Sequence, residues 1–243
     1  MNRARIAVLA SGGGSNLQAL LNHLTALGDA RAADVVLVAS DRPSAGALTR
    51  AHDANIPTAT ISSSRAPLGE DPRELLHRAS IDFVILAGYL QLVPRNITRQ
   101  YVGRVLNVHP GPLPDLGGPG MYGARVHRAV LAAGVSMSGP TVHFVDEQYD
   151  NGAIIAYWPV PVLEHDDEHV LASRVLRAEH LLFPRVVQAV AIGDVSLCDD
   201  GLVAPPFFRD SNSLTPFDPA LDDASLGQML DRSRDAQQLR WPL

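Results

Sequence analysis

Apolar residues along the chain fall into short continuous runs separated by segments that recur at helical spacing. The runs at residues 5–10 (RIAVLA), 35–40, 58–61 and 81–87 (IDFVILA) are short and bounded by turn residues, the pattern of strands buried on both faces. After the first run, Leu17, Leu20, Leu21, Leu24 and Leu27 lie on one helical stripe, which places a helix start at Ser15 or Asn16. Ala45, Leu48 and Ala51 mark a helix over 44–54, and shorter helices are expected over 72–79 and 94–102, the latter with Pro94 in its first turn. Strands alternating with helices predict an α/β fold: a doubly wound, mostly parallel, Rossmann-like sheet.

The pattern changes past residue 105. Val105 and Leu106 lead into Asn107, Val108 and His109, and then Pro110, Pro112 and Pro114 remove the N–H groups that a ladder needs, so the strand ends at about His109. A glycine-rich loop follows, then a helix over 124–133. Residues 138–145 (SGPTVHFV) and 153–162 read as two half-buried strands joined by the acidic loop 146–152, an antiparallel edge to the sheet. Residues 168–191 form a long amphipathic helix, with a break expected near Pro184. From residue 196 Asp, Ser and Pro dominate without a strong period, which divides the chain into a main domain, 1–195, and an extension, 196–243, mostly loops with one short helix over 225–234.

Composition narrows the function classes. The 243 residues are 46% hydrophobic and 19% charged, enough for a sizeable core, and the net charge of −6 argues against a nucleic-acid surface. No apolar run approaches the roughly 18 residues of a membrane span, and the run at 6–10 is too short for a signal peptide and enters a glycine turn. The single cysteine, Cys198, excludes an intrachain disulfide and a multi-cysteine metal site, and fits a reducing cytoplasm. All 20 basic residues are arginine, so Schiff-base chemistry, pyridoxal phosphate attachment and a Walker lysine are excluded.

Two stretches carry candidate chemistry. Strand, glycine turn and helix at residues 5–27 form an arrangement that accepts phosphate, because glycine lets the backbone approach and free N–H groups at the helix start face the anion. Leu17 stands where a dinucleotide fingerprint needs its third glycine, so Ser15 and Asn16 suit a single phosphate better, and Asp41 is only a weak mimic of a ribose-binding acid. The alternative is a tight turn capped by Ser15 or Asn16. At the other stretch, Asn107 and His109 are two apart and share one strand face at a strand exit, which suits carbonyl chemistry: one holds a developing oxyanion, the other moves or stabilises a proton. The bland reading is a strand that ends at a proline turn. Asp150 lies in Asp-Asn-Gly, itself a strong turn signal. Among the other histidines, His143 lines the site or sits satisfied in the core, His127 and His180 read as helix-surface residues with a site-lining place as the alternative, and His23, His52, His77, His165 and His169 read as solvated. The run His165-Asp166-Asp167-Glu168-His169 reads as a solvated helix start, not a metal site.

Taken together, SGGGSNLQALL, LAGYLQLV, NVHPGPLP and GPTVHFVDEQYDNGAII resemble the glycinamide ribonucleotide formyltransferases, in order and spacing, over residues 5–193. The resemblance implies formyl transfer from 10-formyltetrahydrofolate to glycinamide ribonucleotide in purine biosynthesis, with 1–195 as the catalytic domain and no metal. It implies catalytic roles for Asn107, His109 and Asp150, and nucleotide binding by Gly14, Ser15, Asn16 and Glu179. It implies folate binding by Arg65, by Leu90, Gln91, Leu92 and Val93, and by Asp146, Glu147, Gln148 and Tyr149. The implied partners are these two small molecules, with neither nucleic acid nor membrane, and a homodimer is allowed. Departures are Gly111-Pro112, where the family usually has serine and leucine, and Leu90-Gln91, where it often has methionine and arginine. Formyltetrahydrofolate hydrolase is an alternative with the same catalytic trio, though it normally has an extra N-terminal domain. Methionyl-tRNA formyltransferase fits less well because the tail here is acidic. A non-catalytic nucleotide- or folate-binding module is the alternative from another class.

Overall fold

A computed structural model describes residues 3–204 and 215–235. The elements are β1 (Ala4–Leu9), α1 (Ser15–Leu27), β2 (Ala33–Ser40), α2 (Gly46–Asp53), β3 (Thr58–Thr60), α3 (Pro72–Arg78), β4 (Phe83–Leu86), α4 (Arg95–Gln100) and β5 (Val105–His109). They continue as α5 (Ala124–Ala133), β6 (Met137–Ser138), β7 (Thr141–Phe144), β8 (Ile154–Tyr157), β9 (Val160–Pro161), α6 (Glu168–Ala191), β10 (Ser196–Leu197), β11 (Val203–Ala204) and α7 (Asp223–Asp235).

Seven strands make one sheet in the order β3-β2-β1-β4-β5-β7-β8. The first five are parallel; β7 pairs antiparallel with β5, and β8 with β7, which is the expected antiparallel edge. Both sheet faces are covered, so alternate residues of β1 enter different cores. Ile6 and Val8 pack with α1, α5 and α6, while Ala7 and Leu9 pack with α3 and α4. Strand order reverses between β1 and β4, and the crevice outside the carboxyl ends at such a reversal is where ligands sit in this architecture. Ser11 ties the two exits together. Its N–H donates to Gly88 O at 3.0 Å, and its Oγ accepts from Leu90 N–H at 3.0 Å and donates to Asp41 Oδ1 at 2.5 Å. Asp41 is fully buried, its Oδ1 is taken by Ser11, and it lies outside the linings of the hollows at the strand exits.

Three expectations are corrected. The strands read at 138–145 and 153–162 are each split, at Gly139-Pro140 and at Trp158-Pro159. The prolines remove ladder donors, and a Cβ at Gly139 would lie 1.9 Å from Trp158 O, so the chains cross there too closely for any side chain. Helix α6 runs unbroken through Pro184. An interior proline costs about 3 kcal/mol, and the buried Leu182, Phe183, Val186 and Val187 around it hold the helix against the core. The acidic start of α6 is structural: Asp167 caps it by accepting from His169 N and Val170 N at 2.8 Å, and Asp166 makes a two-pronged pair with Arg174 at 2.6 Å.

The described part of the extension forms a short hairpin, β10–β11, and a 13-residue helix, α7. It packs on the main body. Phe217 meets the buried Trp158 edge-on at 5.3 Å, Trp158 Nε1 donates to Thr215 O at 3.1 Å, and Leu226 and Leu230 are buried in the α6 core. Arg185 of α6 pairs with Asp231 of α7 at 2.9 Å. The loops expected at 205–214 and 236–243 lie outside the described residues. Among the described residues no helix is long and apolar enough to cross a membrane.

Candidate active site

The start of α1, the exits of β4 and β5, the loop at 118–123, α5 and α6 line a cleft of about 450 Å³. Asn16, His109 and Glu179 belong to this cleft alone, whereas Tyr89, Asn107 and Asp150 also border a second, smaller hollow.

At the α1 end, Gly14 precedes the helix with φ +75, and a Cβ there would lie 2.7 Å from Ala47 Cα, so only glycine fits. No side chain caps α1, and its first-turn N–H groups remain available to an anion; neither Ser15 nor Asn16 is the cap. Asn16 instead donates from Nδ2 to Glu179 Oε2 at 2.6 Å, while its Oδ1 is buried without a partner among the described residues. Burial pushes the Glu179 carboxyl up to about 7, against the hydrogen bond from Asn16, which lowers it.

Strand β5 places Asn107 and His109 on one face, and the loop after β7 brings Asp150 to them. Asp150 has φ +51, so the expected turn and a carboxylate beside His109 coincide in one residue. Its Oδ2 accepts from Gly118 N–H at 3.0 Å and lies 3.5 Å from His109 Nδ1. His109 Nε2 donates to Leu116 O at 2.8 Å, which places the proton of the neutral ring on Nε2 and leaves basic Nδ1 toward Asp150. Burial lowers the His109 pKa; Asp150 and Leu116 O oppose this and the neighbouring His143 adds to it. The Asp150 carboxyl is held below the usual range: burial raises it, but the nearby His143 and His109 rings and the Gly118 N–H together outweigh burial. The ring of His143 donates from Nδ1 to Phe144 O at 2.7 Å, so its Nε2 accepts from Asn107 Nδ2 at 3.1 Å. The other Asn107 N–H reaches Asp150 Oδ1 at 3.4 Å, a long bond that a more basic oxygen would displace. Both readings left open for His143 hold: the ring is buried with both nitrogens bonded, and it borders the smaller hollow, where it orients the Asn107 amide.

Gln91, Leu92 and Val93 line the smaller hollow, of about 50 Å³, together with Gln148, Tyr149, Asn107 and Asp150. The two loops singled out in the sequence therefore meet beside the central trio. Other residues in that set face elsewhere. Glu147 pairs with Arg95 at 2.8 Å and Arg99 at 2.5 Å, and Asp146 accepts from Gln148 N and Asn151 Nδ2 within its own loop. Arg65 lies outside the linings of both hollows, 3.8 Å from Asp41 Oδ2. Gly111 suits its place in the proline turn, since a Cβ there would lie 2.6 Å from Val126 Cγ1, and Thr141 Oγ1 pins the turn by donating to Gly111 O at 2.7 Å.

Three histidine readings are corrected. His127, read as a surface residue, is buried and lines the cleft; His180 and His23 are half-buried. A helix stripe alone does not tell which of its residues other helices cover: α6 packs on α1 and α5, which carry His23 and His127, and α7 packs on α6, which carries His180.

The formyl transferase family pattern matches residues 4–187. A phosphoribosylglycinamide formyltransferase of Vigna unguiculata, a chloroplastic protein, is 39% identical over 207 residues, 84% of this chain and 64% of that one. The chain thus spans a little under two thirds of that relative. The crystal structure of phosphoribosylglycinamide formyltransferase from Anaplasma phagocytophilum superposes with a TM-score of 0.75 at 33% identity, covering 83% of this chain and 93% of the other. A formyltetrahydrofolate deformylase from Pseudomonas syringae superposes with a TM-score of 0.72 at 25% identity, over 83% of this chain and 65% of that one.

Proposed function

This chain belongs to the formyl transferase family, and from that premise we propose that it transfers the formyl group of 10-formyltetrahydrofolate to the amine of glycinamide ribonucleotide, in purine biosynthesis. The observation that carries the reading is the set of groups that meet in the cleft and the smaller hollow beside it. An uncapped helix start and a buried carboxylate belong to the cleft, two converging loops to the hollow, and an Asn–His–Asp trio lies where the two adjoin. The phosphate sits on the N–H groups of Ser15 and Asn16, Glu179 takes hydroxyls of the ribose, and the folate enters between residues 90–93 and 146–150.

The chemistry follows from the trio. The amine nitrogen attacks the formyl carbon, a C–N bond forms, and the carbonyl π electrons move onto oxygen. Asn107 gives up its long bond to Asp150 and donates to that oxyanion, help worth about 10²–10³ in rate. Nδ1 of neutral His109 takes a proton from the attacking nitrogen, and Asp150 stabilises the imidazolium so formed. When the intermediate collapses, the bond from carbon to the folate nitrogen breaks and that nitrogen receives the proton. The folate is a co-substrate, and no step calls on a metal. Folate contacts from Arg65, Asp146 and Glu147 would be made by main chain or after side-chain movement. The lone cysteine supports a cytoplasmic setting, and a homodimer is compatible with the cleft.

A turnover assay tests the reading. Purified protein with 10-formyltetrahydrofolate should release tetrahydrofolate only when glycinamide ribonucleotide is added, with no formate. Formate released without the nucleotide would replace the transferase with a hydrolase, the activity named for the Pseudomonas syringae relative.

Glu179→Gln gives a second test. The variant keeps an oxygen for Asn16 but carries no charge. A carboxyl raised to about 7 stabilises the fold at low pH, and that contribution is lost as pH rises from the ordinary carboxylate range through about 7. Without ligand, the Gln variant should therefore outlast the parent above pH 7 by about 3 kcal/mol, while its KM for the nucleotide rises. Melting curves between pH 5 and 8 that run in parallel for the two proteins would contradict this account of Glu179.

A further inference from the structure

His127 is a group in the cleft that the mechanism above does not use. It lies on α5, is 4% exposed, lines the same cleft as Glu179 and His109, and stands near enough to His109 to feel its charge. Its Nδ1 is sealed from solvent without a partner among the described residues, and the ring makes no side-chain hydrogen bond to any of them; Nε2 is the nitrogen left to the cleft. A neutral imidazole carries one proton. Sealing an unpaired N–H costs more than sealing an unpaired acceptor, so the proton belongs on Nε2. Burial, and the nearby His109, push the His127 pKa down to about 4, with Glu168 opposing, so the ring stays neutral over the working range. The result is a fixed, uncharged donor aimed into the cleft.

What it meets follows from the nucleotide itself. Its groups run in the order phosphate, ribose, amide carbonyl, methylene, amine. With the phosphate at α1, the ribose at Glu179 and the amine at His109, the amide carbonyl falls on the wall that His127 occupies. We propose that His127 Nε2–H donates to the amide carbonyl oxygen of the glycinamide, making it a substrate-binding residue that holds the amine in register with His109. This rests on the transferase reading above.

Titration calorimetry and steady-state kinetics with two variants test it. His127→Phe fills the volume without a donor, and His127→Gln places an amide N–H close to the original Nε2. The Phe variant should bind glycinamide ribonucleotide roughly three- to tenfold more weakly, the range of one neutral hydrogen bond, with an unchanged KM for the folate. The Gln variant should recover most of the loss. Ribose 5-phosphate, which lacks the carbonyl, should bind the parent and both variants equally. Equal nucleotide affinity in the parent and the Phe variant would overturn the proposal, as would a Gln variant as weak as the Phe variant. A parent protein that turns over with the nucleotide while the Phe variant binds it normally defeats this inference alone. A parent that neither binds the nucleotide nor turns it over defeats the transferase reading and this inference with it.

Discussion

His109→Ala should lower kcat for formyl transfer by about 10³, within the 10²–10⁴ expected when a positioned acid–base group is removed, and leave the dissociation constant for the nucleotide unchanged. The two effects separate because the groups separate. The proposed nucleotide-binding residues, Gly14, Ser15, Asn16 and Glu179, lie at the α1 end, and none of them hydrogen-bonds His109. Loss of the ring removes the base and leaves Asp150 without its cationic partner in the intermediate. A variant that turns over at the parental rate would end the proton-transfer role. A variant that also loses nucleotide affinity would mean that the two ends of the cleft are not independent.

Asp150→Asn should cost about 10²–10³ in kcat without loss of folding. The substitution is chosen for the backbone: residue 150 has φ +51, a conformation asparagine accepts readily and alanine does not. The amide oxygen of the variant side chain would still accept from Gly118 N–H. The charge is lost, together with the oxygen that accepts the long bond from Asn107, so the imidazolium of His109 is no longer stabilised in the transition state. The same loss sets a direction for pH. Burial already lowers the His109 pKa, and Asp150 is the largest influence raising it. In the variant His109 should titrate lower still, so the acid limb of kcat/KM moves to lower pH. A pH profile that does not move would show that Asp150 acts only through the turn, the reading its Asp-Asn-Gly setting supports without any chemistry.

Much of this was legible along the chain because the signals are local. Proline after His109 stops the strand where it stands, and the period of two puts Asn107 beside His109. The leucine stripe places the start of α1 at Ser15, directly after the glycine turn. Short apolar runs alternating with helical stripes led to the parallel sheet, and the two alternating segments to its antiparallel edge. Legibility failed where one segment is decided by another. A proline inside a helical stripe signals a break, yet Pro184 is carried by core packing on both sides. A histidine on a helix reads as exposed until α6 covers it, as happens to His127. Asp41 read only as a weak mimic of a ligand acid, and the structure gives its carboxylate to Ser11, thirty residues away.

The sequence by itself determined the element order, the strand that ends at His109, the anion-ready start of α1 and the resemblance of its motifs to one family. The first three rest on backbone geometry or periodicity within a few residues, and the last on the motifs themselves. Tertiary structure alone decided which side chains share the cleft: Asn16 with Glu179 across 163 positions, and His143 turning the Asn107 amide from the neighbouring strand. It also placed Arg65 and Glu147 on partners outside the cleft and folded the described part of the extension onto α6. The physical reason is that burial and hydrogen-bond direction belong to pairs of residues distant in the chain. A sequence pattern records only the preferences of each residue and its neighbours.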